Sequence, residues 1–467
     1  MNENHNAISL LETKVNPIHI IGAGGVGMSA LGMILLKEGF LVTASDKKKN
    51  TYLEKLNKAG AKTWEGSVPE NIPKNAIVFF SSAISKNNPE RKFAEENNMP
   101  VFNRNPLLAY ISKNHFSIAI AGCHGKTTTS AWIAYLLEQA GLDPNAIIGG
   151  TVKEWNSNVR FGSGAWQDKK ILVTEADESD GSFLFLSTNI SIVTNIDIDH
   201  VDFYKNINEL HEKFNQFIQN TSANNGAYFI SPQIPNELQK KVFANNITNK
   251  LMNEISQKIN INSNKLFYEN NEYKVNLPGE HNLFNAACVL AVGQYLNIQN
   301  QVIKYTLENF TGVSRRMEIL HEFTPKENKT ITIIDDYAHH PVEVKAVLET
   351  LLSQKKNIIA VWEPHRISRF IHFFEDFKKV FEESIGLKNL YVLPVFYSGD
   401  LPENFPEYKN LFENLIKTTG GFINQKQNFN LLFDKILNVN NNVTIIFMGA
   451  GESSNYAHEF VSSIKKT

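Results

Sequence analysis

The chain has 467 residues, 42% of them apolar and 20% charged, and a formal net charge of −2 at pH 7. That length exceeds what one hydrophobic core supports and predicts two or three domains, while the composition excludes a disordered chain. With near-neutral charge and no lysine/arginine block, neither a nucleic-acid partner nor an anionic membrane has support, so any bound anion must be met locally.

No apolar run approaches a membrane span, and the opening Met1-Asn2-Glu3-Asn4-His5-Asn6 lacks a basic-then-apolar leader, which predicts a cytoplasmic protein. The only cysteines, Cys123 and Cys288, exclude a disulfide scaffold and a four-cysteine zinc site.

The first unit opens with the apolar strand Pro17–Ile21. It runs into Gly22-Ala23-Gly24-Gly25-Val26-Gly27, an apolar helical stretch to Gly39, and a second strand ending at Asp46. This is a Rossmann-type βαβ start, with Gly22, Gly24 and Gly27 at the GxGxxG positions. It leaves the ligand open: a nicotinamide dinucleotide would put a ribose on Asp46, whereas a nucleotide-sugar diphosphate could equally sit at the helix N-terminus. A further buried strand, Ala76–Phe80, ends in Ser81-Ser82, and the unit closes near residue 113.

A second unit restarts with the strand leading into Gly122-Cys123-His124-Gly125-Lys126-Thr127-Thr128. Backbone N–H groups of such a loop and the following helix can surround a triphosphate, with Lys126 on the outer phosphates and Thr127 on Mg²⁺. A full P-loop would have glycine where this chain has Ile120, so the loop is a shortened one and, taken alone, could be an ordinary strand-to-helix turn. Cys123 reads as a small residue filling that turn. Two later strands end in polar clusters, Glu175-Ala176-Asp177-Glu178-Ser179-Asp180 and Thr194-Asn195-Ile196-Asp197-Ile198-Asp199-His200. Parallel α/β sheets gather ligands at the carboxyl ends of their strands, so both clusters should converge on the Lys126 loop. Glu175, at a strand tip, is the expected metal partner of Thr127. Asp177 and Asp180 either stand behind the metal ligands or form a solvated turn, and Glu178 is expected in the turn. His200 could serve a second cation, a γ-phosphate or a helix cap. The Asn- and Lys-rich stretch 221–275 reads as peripheral.

A third unit begins after Arg315-Arg316, with a strand ending at Asp335-Asp336 followed by Tyr337-Ala338-His339-His340-Pro341. Adjacent histidines point in different directions, so at most one of the pair should face a ligand. Downstream, Glu363-Pro364-His365-Arg366-Ile367-Ser368-Arg369 spaces two arginines to share a helical face, where they could clamp a carboxylate or phosphate or form structural ion pairs.

Taken in order, GAGGVGMS (22–29), GCHGKTTT (122–129), EADESD (175–180), TNIDIDHVD (194–202), GEHNLFNAA (279–287), SRRME (314–318), DDYAHHP (335–341) and PHRISR (364–369) resemble the Mur ligase family over the whole chain. The resemblance implies a three-domain α/β fold: an N-terminal Rossmann-like domain (1–113), a central P-loop ATPase-like domain (114–315) and a C-terminal Rossmann-like domain (316–467). It also implies an ATP-dependent carboxylate–amine ligase of peptidoglycan precursor synthesis. ATP would phosphorylate the lactyl carboxylate of UDP-N-acetylmuramate, and the amine of L-alanine would attack the acyl phosphate.

By the same resemblance Gly22, Gly24, Gly25, Gly27, Asp46 and Ser82 serve the UDP-sugar. Gly122, His124, Gly125, Lys126, Thr127 and Thr128 hold the phosphates of ATP; His281, Asn282 and Asn285 serve its adenine side, Arg316 a phosphate and Asp336 the ribose. Thr127, Glu175 and His200 would hold Mg²⁺, or Mn²⁺ in its place, and the third domain would close onto the second. Tyr337, His339, His365, Arg366 and Arg369 match residues around the amino acid, with Lys126, His200, His339 and Arg369 nearest the chemistry. Cys123, Trp64, Glu363 and Glu452 depart from the family pattern, and neither Lys205 nor Lys213 falls where some relatives carry a carbamylated lysine. A monomer or homodimer is expected. The competing readings are a ligase that returns a tripeptide to the same sugar, a nicotinamide-dependent oxidoreductase and a non-catalytic nucleotide sensor.

Overall fold

A computed structural model describes residues 2–197, 204, 206–243, 250–262, 265–326, 329–424, 429–437 and 441–464. The chain forms two compact units, one of Met1–Leu277 with Asn282–Gly312, the other of Pro278–His281 with Val313–Thr467.

The first unit contains two large sheets. In the N-terminal one, five parallel strands run in the order Lys62–Glu65, Val42–Asp46, Ile18–Ile21, Ile77–Phe80, Val101–Asn103. The central strand is buried along its whole length because helices cover both faces, which is why it reads as a continuous apolar run. The order reverses beside that strand, and the glycine turn leaves from its carboxyl end at this switch point, with the helix Val26–Lys37 behind it.

The second sheet runs Ala227–Ile230, Ile190–Val193, Phe116–Ala121, Lys169–Glu175, Asn145–Val152, Ser157–Arg160, parallel except for the last pair, with Ala165–Trp166 antiparallel to Lys169–Glu175. The stretch 221–275, expected to be peripheral, supplies this sheet's edge strand Ala227–Ile230 as well as a small antiparallel sheet, Ile259–Asn262, Lys265–Tyr268 and Asn271–Tyr273. The two large sheets share apolar packing: Val159 and Leu172 of the second lie in one core with Ile20 and Phe79 of the first and with Met33 and Leu35 of the helix Val26–Lys37. The helix Lys126–Gln139 is buried on most sides, its Trp132 stacked on Phe310 and donating its indole N–H to Thr306 O. An all-round apolar pattern of this kind belongs to a helix enclosed by other elements.

The second unit carries a six-stranded sheet in the order Glu318–Lys326, Lys329–Asp336, Val443–Met448, Asn357–Trp362, Leu390–Val392, Gly421–Phe422, antiparallel only at its first pair. The three-domain α/β architecture expected from the sequence is thus present as three large sheets. Among the described residues, no helix is long and apolar enough to cross a membrane.

Candidate active site

In the central sheet the neighbouring strands Lys169–Glu175, Phe116–Ala121 and Ile190–Val193 end side by side, with Glu175 in register with Ile120 and Val193 with Ala121. The loop 122–125 leaves this edge and enters the helix Lys126–Gln139. Its shape depends on two glycines. Gly122 has φ +136°, and a Cβ there would lie 2.0 Å from Thr194 Oγ1; Gly125 has φ +81°, and a Cβ there would lie 2.6 Å from Asn285 Oδ1. A left-handed backbone packed against a neighbour is a position only glycine fills without strain.

The tip of the adjacent strand grips the loop. Asn195 Oδ1 accepts the His124 N–H at 2.9 Å, while Thr194 Oγ1 and Asn195 Nδ2 donate to His124 O at 2.6 and 2.8 Å. Cys123 is buried, and its thiol lies 3.1 Å from Asp197 O, filling the turn as expected. On the other side the helix Glu280–Tyr295 contributes Asn285, which accepts from the Thr129 hydroxyl at 3.1 Å and donates to Asn282 Oδ1 at 3.0 Å. Asn285, held by Asn282, therefore braces the loop 122–125 and the start of its helix.

Lys126 corrects the reading of the acidic turn. Its ammonium donates to Gly122 O at 2.6 Å and to both oxygens of Glu178 at 2.8 and 2.7 Å. Glu178, expected in a solvated turn, is fully buried. Burial disfavours the charged lysine, but the Glu178 carboxylate, with Asp177 behind it, outweighs burial and raises the Lys126 pKa. Asp177 and Asp180 are also engaged: Arg104, a residue sequence reasoning missed, donates from one Nη2 to Asp177 Oδ2, Asp180 Oδ2 and Ser182 Oγ at 3.2, 2.8 and 2.9 Å. Its position just past the strand Val101–Asn103, at the carboxyl edge of a parallel sheet, was the available signal. The other arm of Arg104 approaches the first glycine loop, with Nη1 3.7 Å from where a Cβ on Gly27 would be.

Glu175 stands at its strand tip, half-buried, accepting the Gly149 N–H; a Cβ on Gly149 would come within 2.7 Å of its carboxylate. Thr127 lies half-buried in the first turn of the helix. Thr127 and Glu175 both lie at this sheet edge, and hydroxyl and carboxylate oxygens are the hard donors that Mg²⁺ prefers. His200 and Lys205 lie outside the described residues.

At the first glycine loop, Gly22 has φ +81° and donates to Ser45 O at 2.9 Å. Asp46 acts on the loop: Oδ2 accepts the Gly24 N–H at 2.8 Å, and Asn50 Nδ2 donates to Gly24 O at 2.9 Å. Gly25 is the N-cap of the helix Val26–Lys37, Gly27 lies in its first turn, and Ser82 lies exposed beyond the strand Ile77–Phe80. Beneath the loop, fully buried Glu90 accepts the Ser45 hydroxyl at 2.5 Å and the Val68 N–H at 3.3 Å.

The second unit assembles its own cluster. Asp336 is buried and receives N–H bonds from Met317 and Ala338, both at 2.7 Å; burial pushes its carboxyl up to about 6, although the Arg316 guanidinium pulls the other way. Arg316 lies over the Tyr337 ring, 5.0 Å from its centre, and 3.8 Å from Glu343. The His281 imidazole is pushed down to about 4 by burial and then by Arg316. The two histidines divide as expected: His340 caps the helix Pro341–Ser353, while the His339 ring lies edge-on to Tyr337 and His365, at 5.3 Å from each. His365 stacks on Phe396, and Arg369 Nη1 lies 3.4 Å from its Nδ1. Desolvation, His339 and Arg369 together push the His365 imidazole down to about 3, so it is neutral and its Nδ1 can accept. Tyr337, His339, His365, Arg366 and Arg369 are thus gathered by the carboxyl ends of the strands Lys329–Asp336 and Asn357–Trp362.

Three family models match the chain in series: the Mur ligase family catalytic domain over residues 17–116, the Mur ligase middle domain over 120–293, and the Mur ligase glutamate ligase domain over 315–451. The chain is 34% identical over 472 residues to a UDP-N-acetylmuramate–L-alanine ligase of Persephonella marina, covering 97% of this chain and 98% of that protein. It is also 34% identical over 475 residues to the ligase of the same name from Aquifex aeolicus, covering 97% and 99%. Among solved structures, a UDP-N-acetylmuramate-alanine ligase from Thermotoga maritima superposes with a TM-score of 0.72 at 24% identity, over 96% of this chain and 99% of that one. A murein peptide ligase from Psychrobacter arcticus gives 0.65 at 18%, over 97% and 99%. At these identities the two structures speak to the fold.

Proposed function

The chain belongs to the Mur ligase family, and from that premise we propose that it joins L-alanine to the lactyl carboxylate of UDP-N-acetylmuramate in an ATP-dependent, ADP-forming reaction. A free carboxylate is a poor electrophile, because its negative charge repels an amine and oxide is not a leaving group. Transfer of the γ-phosphoryl group makes an acyl phosphate and ADP; the neutral amine then attacks the carbonyl carbon, and phosphate departs as the amide forms.

The observation that carries this reading is the meeting of the Lys126 loop and Glu175 on neighbouring strand ends, within a chain whose remaining motifs fall in family order. Backbone N–H groups at the start of the helix Lys126–Gln139 would receive the phosphates, and Lys126 would neutralise charge on the phosphoryl group in flight. Thr127 and Glu175 would hold Mg²⁺, which when bound supplies further charge neutralisation between phosphate oxygens. The first glycine loop, anchored by Asp46, would take the UDP diphosphate. His339, His365, Arg366 and Arg369 would receive the amino acid, with an arginine on its carboxylate. A neutral His365 suits that task, because it adds no charge that would compete for the same anion.

The testing experiment is a ligation panel read by product mass, with ATP and UDP-N-acetylmuramate against L-alanine, glycine, L-serine and a tripeptide. A product one alanyl residue heavier, with phosphate release requiring all three substrates, is the expected result. Transfer of the tripeptide alone would assign the chain to recycling, and ATP binding without product would make it a sensor.

A further inference from the structure

The turn that carries His365, Arg366 and Arg369 has an unusual backbone. Arg366 adopts φ +65° and ψ 133°, a combination that side chains with a Cβ rarely take, and it stands as the N-cap of the helix Ile367–His372. Arginine is a poor choice for that position, since its side chain is a donor and a helix start needs an acceptor; no side-chain cap bond comes from Arg366 itself. Both deficits are met by one residue distant in sequence. Asp400 Oδ2 accepts the Ser368 N–H and the Ser368 hydroxyl, each at 2.8 Å, while its Oδ1 accepts from Arg366 Nη2 at 3.2 Å.

The side chain of Asp400 is only 8% exposed, whereas that of Arg366 is 32% exposed, so the carboxylate is shielded from water and the guanidinium reaches the surface. The segment bearing Asp400 is tied to the same turn through the backbone, the Arg366 N–H donating to Phe396 O at 2.7 Å. The Phe396 ring in turn lies parallel to His365, with centres 5.5 Å apart. A non-glycine residue is strained in such a conformation and persists only where its surroundings over-determine it, commonly at ligand sites.

We propose that Asp400 is a positioning residue for amino-acid binding: by capping Ser368 and holding the Arg366 guanidinium, it keeps the His365–Arg369 turn in the strained geometry that presents its donors to the incoming carboxylate. This rests on the reading above that the turn receives the amino acid. It assigns the strain a purpose, because a relaxed turn would swing Arg366 and change the separation of the two guanidinium groups.

The test is steady-state kinetics of the full chain and of Asp400→Ala, Asp400→Asn and Ser368→Ala, with each substrate varied in turn and the unfolding midpoint of every variant recorded. Asp400→Ala should raise the KM for L-alanine roughly tenfold, with kcat and the KM values for ATP and the UDP-sugar within about twofold of wild type. Asp400→Asn, which keeps an oxygen for Ser368 and presents no charge to Arg366, should fall between, as should Ser368→Ala. An unchanged alanine KM in Asp400→Ala would overturn the proposal. So would a loss that spreads evenly over all three substrates with a lowered midpoint, since that is what a purely structural contact gives. If the wild type ligates a different amine, the alanine reading fails in the wild type, while the positioning role is still decided by the KM split on that amine; a wild type that ligates nothing overturns both.

Discussion

Lys126 and Glu178 form a two-pronged ion pair at the mouth of the phosphate loop, the ammonium 2.8 and 2.7 Å from the two oxygens of a carboxylate with no exposed surface. The pair holds the lysine pKa above its ordinary range against the burial that would lower it. Glu178 therefore fixes both the charge and the position of the lysine.

Removing one member of a buried pair leaves the other's charge in a poorly solvating environment, at a cost of about 3–5 kcal/mol. With the Lys126 side chain 15% exposed, Glu178→Ala should lie near the lower end, about 3 kcal/mol, read from urea unfolding. Lys126→Ala should abolish turnover and leave UDP-sugar affinity nearly intact in the fraction that folds. The double variant Lys126→Ala with Glu178→Ala should lose less stability than the two single losses summed, without recovering activity, because it removes both charges together. Additive losses in that cycle would show that the two residues act independently.

Arg104 ties the acidic turn that contains Glu178 to the end of the N-terminal sheet. Its partners Asp177 and Asp180 are partly solvent-exposed, so the contact is weaker than the Lys126 pair. Arg104→Ala should lower kcat/KM for ATP about fivefold, equivalent to ~1 kcal/mol, and should not abolish the reaction. Complete inactivity in a folded variant would instead give Arg104 a direct role toward substrate.

Gly122→Ala places a methyl group 2.0 Å from Thr194 Oγ1 on a backbone with φ +136°. The loop must move, and its backbone N–H groups move with it. ATP affinity by calorimetry should fall at least tenfold, about 1.4 kcal/mol or more, with UDP-sugar affinity unchanged. Equal losses for both ligands would mean that the two glycine loops do not serve separate ligands.

Glu363 accepts N–H bonds from Gly451 and Glu452 at 2.7 and 2.6 Å. Burial nonetheless pushes its carboxyl up to about 7 from the usual 4.5. The folded chain thus binds a proton that the unfolded chain has released between these values, so Glu363's contribution falls as pH rises through that window and is fully unfavourable above 7. The span corresponds to roughly 3 kcal/mol. Glu363→Gln should flatten the decline in unfolding midpoint between pH 5 and 8; an unaltered slope would mean that the Glu363 carboxyl titrates alike in both states.

Much of this site was legible locally. The GxGxxG turn, the Gly122–Thr128 loop and the strand-tip Glu175 announce themselves because a positive φ, a helix start or an apolar strand constrains residues close in sequence. The division of the His339–His340 pair was also foreseeable, since neighbours on a chain cannot face one direction. Glu178 was misread because an acid in a run of polar residues looks solvated, and nothing nearby in sequence reveals that Lys126, 52 positions earlier, is its partner. The stretch 221–275 was misread for a related reason: a short edge strand in an Asn- and Lys-rich segment has little periodicity of its own and is recruited by the strand it pairs with.

The sequence by itself determined which backbone segments can cradle phosphate, the order of the modules and the family, because these depend on short-range steric demands and on motifs read along the chain. Only the tertiary structure decided which side chains hold those segments in shape: Glu178 on Lys126, Arg104 on the acidic turn, Asn285 at Gly125 and Asp400 beneath Arg366. The reason is that strand order, not chain order, sets who meets at the carboxyl edge of a sheet, and strand order follows from the burial of whole faces, to which no single residue is a guide.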